Sequence, residues 1–359
     1  MNKRLTPLAT VKGFNTDKLT IDMENLMNMI FIIMACLLMT GCNSLQTIDA
    51  RNQQHSPHKN ADITDPLASL MDKQWRHGSP NCTANSDPTV DVFTYNSSSY
   101  ILRQNKCLSF EAPFIYLLFG DETLLVLDTG ATKEPLDFTL YQTIESMNKK
   151  VSVQQGIPTR KLLVVHSHSH ADHYAGDQQF VAQPDVTLIE ANEQALRAYF
   201  NFSQWPNGEA KLNLGGREIT ILPTPGHQEE AISIYDEQTK WLLTGDTFYP
   251  GVLFVKHWQD FKQSISRLVI FASTHEVSAV LGAHIEMTNT PGEYYPIGTV
   301  YQPNEAPLVL SLDALKTLNN ELIKVAKPSE LIFNQFIVKP MNTAQKTLSN
   351  IARWMTQKP

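Results

Sequence analysis

An α/β fold, with two β-sheets packed face to face and helices outside them, is predicted for this chain by three observations. Apolar runs of strand length come in pairs joined by turn dipeptides, as Phe114–Phe119 and Thr123–Leu127 do around Gly120-Asp121. The paired runs lead into strand–helix units. That order occurs twice along the chain, although the two halves share no visible sequence similarity. With 359 residues, 42% of them hydrophobic, the chain can bury one large core or two smaller ones.

The N-terminal residues stand apart from this pattern. Met29–Met39 is an apolar run of 11 residues, too short to span a bilayer and suited to the h-region of an export signal. It ends in Leu38-Met39-Thr40-Gly41-Cys42. Small residues followed by Cys resemble a bacterial lipoprotein signal, in which the Cys is lipidated and becomes the new N-terminus. Met39 stands where Leu, Val or Ile is usual, and Asp22 and Glu24 separate the basic residues from the apolar core. A plain cleaved signal and an uncleaved anchor are the alternatives. Residues 1–42 are thus expected to be a signal, and the mature protein an exported, lipid-anchored one facing the periplasm. Residues 43–75, rich in Ser, Asn, Gln, His and Asp, read as a flexible tether. His55, His58 and the nearby His77 are expected to be solvated.

Residues 76–300 read as the main domain. Val90–Tyr95 and Tyr100–Arg103 form an opening hairpin, and the pair around Gly120-Asp121 follows. Leu140–Met147 has helical character. Leu162–Val165 is a buried strand, Asp172–Phe180 a helix, Val186–Ile189 a strand and Glu193–Phe200 a helix. The second half opens with Lys211–Leu214 and Glu218–Leu222, a hairpin through Gly215-Gly216. Strands Ala231–Tyr235 and Trp241–Thr244 come next. Asp260–Phe271 is an amphipathic helix with Phe261, Ile265, Leu268 and Val269 on one stripe, and Ser278–Leu281 is a strand. Residues 301–359 offer a helix (Leu312–Val325), a strand (Leu331–Val338) and a last helix (Ala344–Trp354). This tail has no His or Cys and reads as a packing extension, with a substrate lid as the alternative.

The 29 basic and 36 acidic residues give a net charge of -7, and no basic patch with interleaved aromatics stands out. A nucleic-acid partner therefore has no electrostatic support, and a small-molecule substrate is expected. Nothing in the sequence specifies an oligomeric state. Of the four cysteines, Cys36 lies in the signal and Cys42 is the lipidation candidate. Cys82 and Cys107 remain for the mature domain, either paired in an oxidising compartment or as two separate buried thiols.

His168-Ser169-His170-Ala171-Asp172-His173 places four ligand-type side chains within six residues, just past a buried strand. Neutral imidazoles and a carboxylate on such a turn can divide between two metal ions, which together hold a hydroxide at neutral pH. Downstream come Thr224-Pro225-Gly226-His227, Thr244-Gly245-Asp246 and Leu281-Gly282-Ala283-His284. Each sets one ligand-type residue just past an apolar run. Donors of nitrogen and oxygen without thiolate suit zinc first, with iron or manganese as alternatives.

Together with Asp128 these segments resemble the five motifs of the metallo-β-lactamase superfamily, over roughly Thr89 to Met287. The resemblance implies an αββα sandwich and two divalent ions. His168, His170 and His227 would hold one ion, Asp172, His173 and His284 the other, and Asp246 would bridge them. Asp128 would stand behind the ligands and accept a hydrogen bond. His166 is expected to be a strand-end residue or one that supports the ligands from behind, and His257 and His275 structural. Asp172 and Tyr249 are the candidate catalytic residues. Tyr249, three positions after Asp246, is similar to a Tyr of the lactonase branch that lends its hydroxyl to the substrate carbonyl; packing under the loop is the alternative. The apolar segment Gly251–Trp258 and the cluster Tyr294, Tyr295 and Tyr301 are candidates for a pocket lining or for core.

Asp246 separates subfamilies, because β-lactamases of this superfamily usually lack a bridging Asp there. Glyoxalase-type thioesterases end their last motif in Gly-His-Glu-Tyr, whereas this chain reads Gly282-Ala283-His284-Ile285-Glu286-Met287. The expected reaction is hydrolysis of a small carbonyl substrate: ester, lactone, thioester or amide. The rival readings are a β-lactamase and a metal-binding protein without hydrolytic activity. The signal reading makes its own prediction: mass spectrometry of the mature protein should find lipidated Cys42 at the N-terminus, and Cys42→Ser should give a soluble or unprocessed form.

Overall fold

The computed structural model describes residues 65–356. The signal, Cys42 and most of the expected tether, with His55 and His58, lie outside the described residues. Among the described residues no helix is long and apolar enough to cross a membrane.

Helix α1 (Pro66–Met71) comes first, capped by the Asp65 carboxylate, which accepts the Leu67 N–H. It corrects the expectation that the tether runs to residue 75. Leu70 and Trp75 are buried in the main core, Trp75 edge-on to Phe114 at 4.8 Å. Two large apolar side chains in a polar stretch are enough to dock it.

The first half contains β1 (Val90–Asn96), β2 (Ser99–Gln104), β3 (Phe114–Phe119), β4 (Thr123–Leu127), α2 (Leu140–Gln155), β5 (Lys161–Val165), α3 (Ala171–Tyr174), β6 (Val186–Leu188) and α4 (Glu193–Phe200). Strands β1 to β6 form one six-stranded sheet in sequence order, antiparallel through β4 and parallel from β4 to β6. The second half contains β7 (Ala210–Asn213), β8 (Glu218–Pro223), β9 (Ile232–Asp236), β10 (Trp241–Gly245), β11 (Val252–Val255), α5 (Trp258–Ala272) and β12 (Ala279–Gly282). The tail adds β13 (Val309–Leu310), α6 (Leu312–Lys324), β14 (Leu331–Ile332), β15 (Ile337–Pro340) and α7 (Thr343–Thr356). A second six-stranded sheet runs β13-β12-β10-β9-β8-β7, so the tail completes its edge. A small third sheet, β11-β15-β14, joins the tail to the main domain.

The alternation of side chains along β3 explains the layering. Phe114, Tyr116 and Leu118 point into the core between the sheets, with Ile219, Ile234, Trp241 and Leu281 from the facing sheet. Ile115, Leu117 and Phe119 point outward and are covered by Leu140, Ile144 and Val151 of α2. The outer face of the second sheet is covered by Phe261, Ile265 and Leu268 of α5 and Leu315, Leu318 and Leu322 of α6. The result is an αββα sandwich with both sheets buried on both faces, which is why the strands read as continuous apolar runs.

Several elements depart from their expected bounds. Helix α2 continues past Met147 to Gln155 and stops where Gly156 takes a left-handed φ of 70°. The expected helix from Asp172 to Phe180 is instead the four-residue α3 followed by the 3-10 stretch Ala175–Gln179. The segment after Asp246 yields β11 and the start of α5, with Val252, Leu253, Val255 and Trp258 in the core. It is therefore core and not a pocket lining. Cys82 and Cys107 are joined, with Cα atoms 5.1 Å apart.

At the end of the sandwich away from the β4 and β5 termini, Arg217 is fully buried against Asp236. Its Nη2 and Nε donate to the two carboxylate oxygens at 2.6 and 2.8 Å. The same guanidinium donates to Ser98 O at 2.7 Å and Ser99 Oγ at 2.9 Å in the opposite sheet, so one ion pair ties both sheets. Burial raises the carboxyl pKa of Asp236, but Arg217 and Thr239 outweigh it and leave the pKa below the usual value. Arg217→Ala strands a buried carboxylate and is expected to cost about 3–5 kcal/mol in denaturant unfolding at neutral pH. A carboxyl with a depressed folded pKa contributes stability above its unfolded value of roughly 3.9 and loses it as pH falls towards the folded value. The wild type should therefore lose stability in acid below about pH 4, and Arg217→Ala should flatten that limb.

Candidate metal centre

The loop after β5 is shaped by Asp128, the first residue after β4. Leu127 pairs with Val165, so Asp128 stands beside the start of the histidine loop. Its oxygens accept the Ser167 N–H at 2.7 Å, the Ser167 hydroxyl at 2.9 Å and His173 Nδ1–H at 2.9 Å. The parallel pairing of β10 with β12 sets Gly245 opposite Gly282 and so delivers Asp246 and His284 to the same edge. Gly245 has a φ of 51°, and a Cβ there would meet Ser167 Cβ at 2.6 Å. Only glycine lets the Asp246 turn approach the histidine loop this closely. Gly226, before His227, is likewise pressed against the Phe261 backbone, 2.5 Å from where its Cβ would lie.

These turns bring together all seven expected ligand-type residues in two groups, each with one ligand atom per residue lying within 4.8 Å of the others. One group is His168, His170, His227 and Asp246; the other is Asp172, His173 and His284. Asp246 faces both. Its Oδ2 lies 3.6 Å from His227 Nε2 and 3.8 Å from His168 Nε2. Its Oδ1 lies 3.4 Å from His284 Nε2 and 3.6 Å from His173 Nε2. Asp172 Oδ2 is 3.2 Å from both His173 Nε2 and His284 Nε2. His170 and Asp172 are the half-buried members, so the cluster meets solvent on their side.

The donor set fits a metal. Several rings are held from behind with one nitrogen left facing the cluster. His227 Nδ1–H donates to Phe254 O at 2.8 Å, His284 Nδ1–H to Glu111 O at 2.9 Å, and His173 Nδ1–H to Asp128. His168 Nε2 and Asp246 Oδ1 are buried without a hydrogen-bond partner. Orphaned buried acceptors are rare and demand an explanation, which a cation supplies. Electrostatics differ between the groups. Burial and the neighbouring imidazoles hold His168 and His170 well below the usual histidine pKa. Burial also opposes charge on His173 and His284. Nearby carboxylates outweigh it, raising His173 well above the usual value and His284 to about 9. A divalent cation meets the same carboxylates and is attracted by them.

Other expected residues fall elsewhere. His166 is no part of the cluster: Nδ1 contacts Ile189 O at 3.0 Å and Nε2 contacts Asp177 at 2.9 Å. His275 stacks on Phe271, His257 contacts Glu229, and half-buried His77 packs against Tyr301. Tyr249 corrects its expected role. Its ring lies under the cluster and its hydroxyl donates to Val252 O at 2.8 Å, with Glu286 Oε2 at 3.2 Å. With the hydroxyl buried and committed to the backbone, it is not aimed at a substrate carbonyl. Tyr295, Phe110, Ile285 and Ile297 line a cleft with Glu111 and Glu286. Burial, Asp172 and Glu286 push the Glu111 carboxyl up to about 8.

Residues that the motifs did not announce also support the centre. Glu230 is buried and accepts the Ser169 N–H at 2.9 Å, and Gln228 lies against His170. Their one sequence signal is the polar run Gln228-Glu229-Glu230 directly behind His227.

Comparison with known proteins agrees with this geometry. The family model described as the metallo-beta-lactamase superfamily matches residues 109–323. The chain is 27% identical over 205 residues to the acyl-coenzyme A thioesterase MBLAC2 of Bos taurus, covering 47% of this chain and 72% of that one. It is 27% identical over 110 residues to a hydroxyacylglutathione hydrolase of Prochlorococcus marinus (strain MIT 9312), 29% of this chain and 44% of that one. Among solved structures, a metallo-beta-lactamase from Pontibacter korlensis is similar with a TM-score of 0.41 at 16% identity, over 66% of this chain and 100% of the other. With five motifs gathered at one edge of an αββα sandwich and the family model spanning more than half of its length, the chain belongs to the metallo-beta-lactamase superfamily of metal-dependent hydrolases.

Proposed function

We propose that this chain is a dinuclear metallohydrolase that cleaves small thioesters or esters. The observation that carries the reading is Asp246, which turns one oxygen to each half of the cluster. His168, His170 and His227 would hold one ion and Asp172, His173 and His284 the other. Zinc is the first expectation for this donor set, with iron or manganese as alternatives. Two such ions, when bound, polarise a carbonyl and bring the pKa of a coordinated water down to about 7. The chain's own residues do the rest. Asp128 fixes the tautomer of His173 by accepting its Nδ1–H, so that the Nε2 lone pair faces the cluster. Phe254 O and Glu111 O do the same for His227 and His284. Asp172 is half-buried, on the side where the cluster meets solvent.

Thioesters head the substrate classes because the two curated relatives are named for hydrolysis of acyl groups carried by coenzyme A and by glutathione. Lactones remain in the panel tested, and nitrocefin stands there for the amides. The exported, lipid-anchored location belongs to the same proposal and rests on the Met29–Cys42 segment alone.

The zinc-loaded domain is to be assayed against acyl thioesters, aryl esters, lactones, phosphodiesters and nitrocefin. A thioester or ester should be turned over at least about tenfold more efficiently than nitrocefin, a gap of ~1.4 kcal/mol. Nitrocefin as the one good substrate would reverse the proposal in favour of a β-lactamase, and no turnover with full metal content would favour a binding protein. Elemental analysis should give two ions per chain. Asp246→Ala should lower that number and reduce turnover by about 100-fold or more, since both halves lose a ligand.

Tyr249→Phe gives a separate check of the buried hydroxyl. Loss of its bond to Val252 O should cost about 1 kcal/mol of stability, while kcat and metal content stay within a factor of about two. A 100-fold drop in kcat at unchanged metal content would return Tyr249 to the reacting centre.

A further inference from the structure

Two lines of contact run from the C-terminal helix α7 to the loop that carries His168 and His170. In the first, buried Ser349 accepts from Gln228 Nε2 at 3.2 Å, and the Gln228 amide lies against His170 Nε2. Lys256, also buried, holds the other end of that amide, its Nζ 3.2 Å from Oε1. His170 Nδ1 meanwhile faces His227 Nε2 at 3.0 Å. In the second, Arg353 donates to Glu230 Oε2 at 3.1 Å, while Oε1 of the same carboxylate accepts the Ser169 backbone N–H at 2.9 Å. Ser169 is the residue between His168 and His170. The helix has its own foundation: Met341 N–H donates to Val255 O at 2.9 Å, and Asn342 and Gln345 exchange capping bonds at 2.8 and 2.9 Å.

The other half of the centre is held from other places. His173 leans on Asp128 and His284 on the Glu111 carbonyl, and neither bond involves α7. Asp128 reaches both halves, because the Ser167 hydroxyl it accepts also lies 3.2 Å from His168 Nδ1.

We propose that α7 is the positioning element for the His168, His170 and His227 half of the centre, acting through Ser349 on Gln228 and through Arg353 on Glu230. This rests on the two-ion reading. A ligating imidazole keeps its orientation through the nitrogen turned away from the metal, and losing that partner costs about 10- to 100-fold in metal affinity. Gln228 is that partner for His170: its amide nitrogen faces Nε2 here, and turning the amide over, with the Ser349 hydroxyl then donating in place of Lys256, would present its oxygen to an Nε2–H. Glu230 fixes the backbone between the two histidines. Both are polar groups in a buried layer, and both are steadied by a helix more than 100 positions further along the chain.

The test is stepwise zinc titration of the metal-free protein against a chromophoric chelator, with thermal unfolding and hydrogen exchange of the peptide around Ser169 followed in parallel. The variants are Ser349→Ala, Arg353→Ala and the double change, with Ser349→Thr and Arg353→Lys as conservative forms. The double variant should weaken one zinc affinity at least about tenfold and leave the other within about twofold. Exchange at the Ser169 peptide should speed up even without metal, and the conservative forms should recover most of the loss. Unchanged affinities with unchanged exchange, or a uniform fall of both affinities together with the melting temperature, overturns the proposal. A wild-type chain that takes up one zinc overturns the two-ion reading. The helix is then judged on the exchange at Ser169 and on that one affinity.

Discussion

Two pairs of parallel strands, β4 with β5 and β10 with β12, end at one edge of the sandwich, and the centre depends on that coincidence. The buried positions of β4 and β5 are apolar throughout, so their ligand-type residues come only after the last paired residue has passed. Asp128, His168, Asp246 and His284 accordingly follow their strands by one to three positions. Backbone bonds close the edge between the sheets. Ile232 N–H donates to Ser167 O at 2.8 Å and Phe114 N–H to Ala283 O at 2.8 Å. At the far end the Arg217–Asp236 pair joins the same two sheets, so the sandwich is bonded at both ends around an apolar middle.

Gathering five imidazoles and the Asp172 carboxylate around Asp246 is costly unless every polar atom has a use. The structure meets this with an outer ring of acceptors: the Asp128 carboxylate, the carbonyls of Glu111 and Phe254, and the Glu230 carboxylate under Ser169. Beneath it lies a packed layer. Tyr249 fills the space against Gly251 and Gly282, where added Cβ atoms would lie 2.1 Å from its ring and 2.2 Å from its own Cβ. Glu286 then accepts the Val252 N–H at 2.7 Å and stands next to the Tyr249 hydroxyl.

The motif residues were legible because each follows an apolar run, and a run with a His or Asp just past it has one plausible geometry. The sandwich was legible for the same reason: β-period apolar runs and turn dipeptides are local signals. What escaped was set by distant contacts. Tyr249 stands three positions after Asp246, but spacing does not say that nearby Gly251 and distant Gly282 together make room for it. Strand β11 looks apolar in any conformation, and it is a strand because β15, some 80 residues later, pairs with it. The polar segment before residue 76 buries two apolar side chains in the core, Leu70 and Trp75, too few to raise a periodic signal. Gln228 and Glu230 look like surface residues until α7 is laid over them.

The long separation between α7 and the residues it covers has a consequence in time. Gln228 and Ser349 are 121 positions apart. A chain made at ~5–20 residues per second presents Ser349 roughly 6–24 s after Gln228. During that interval the two sheets can already form, and His173 and His284 can already meet their own supports. The loop around Ser169 waits for the last helix. The order in which the polypeptide emerges thus separates the supports of one half of the cluster from those of the other.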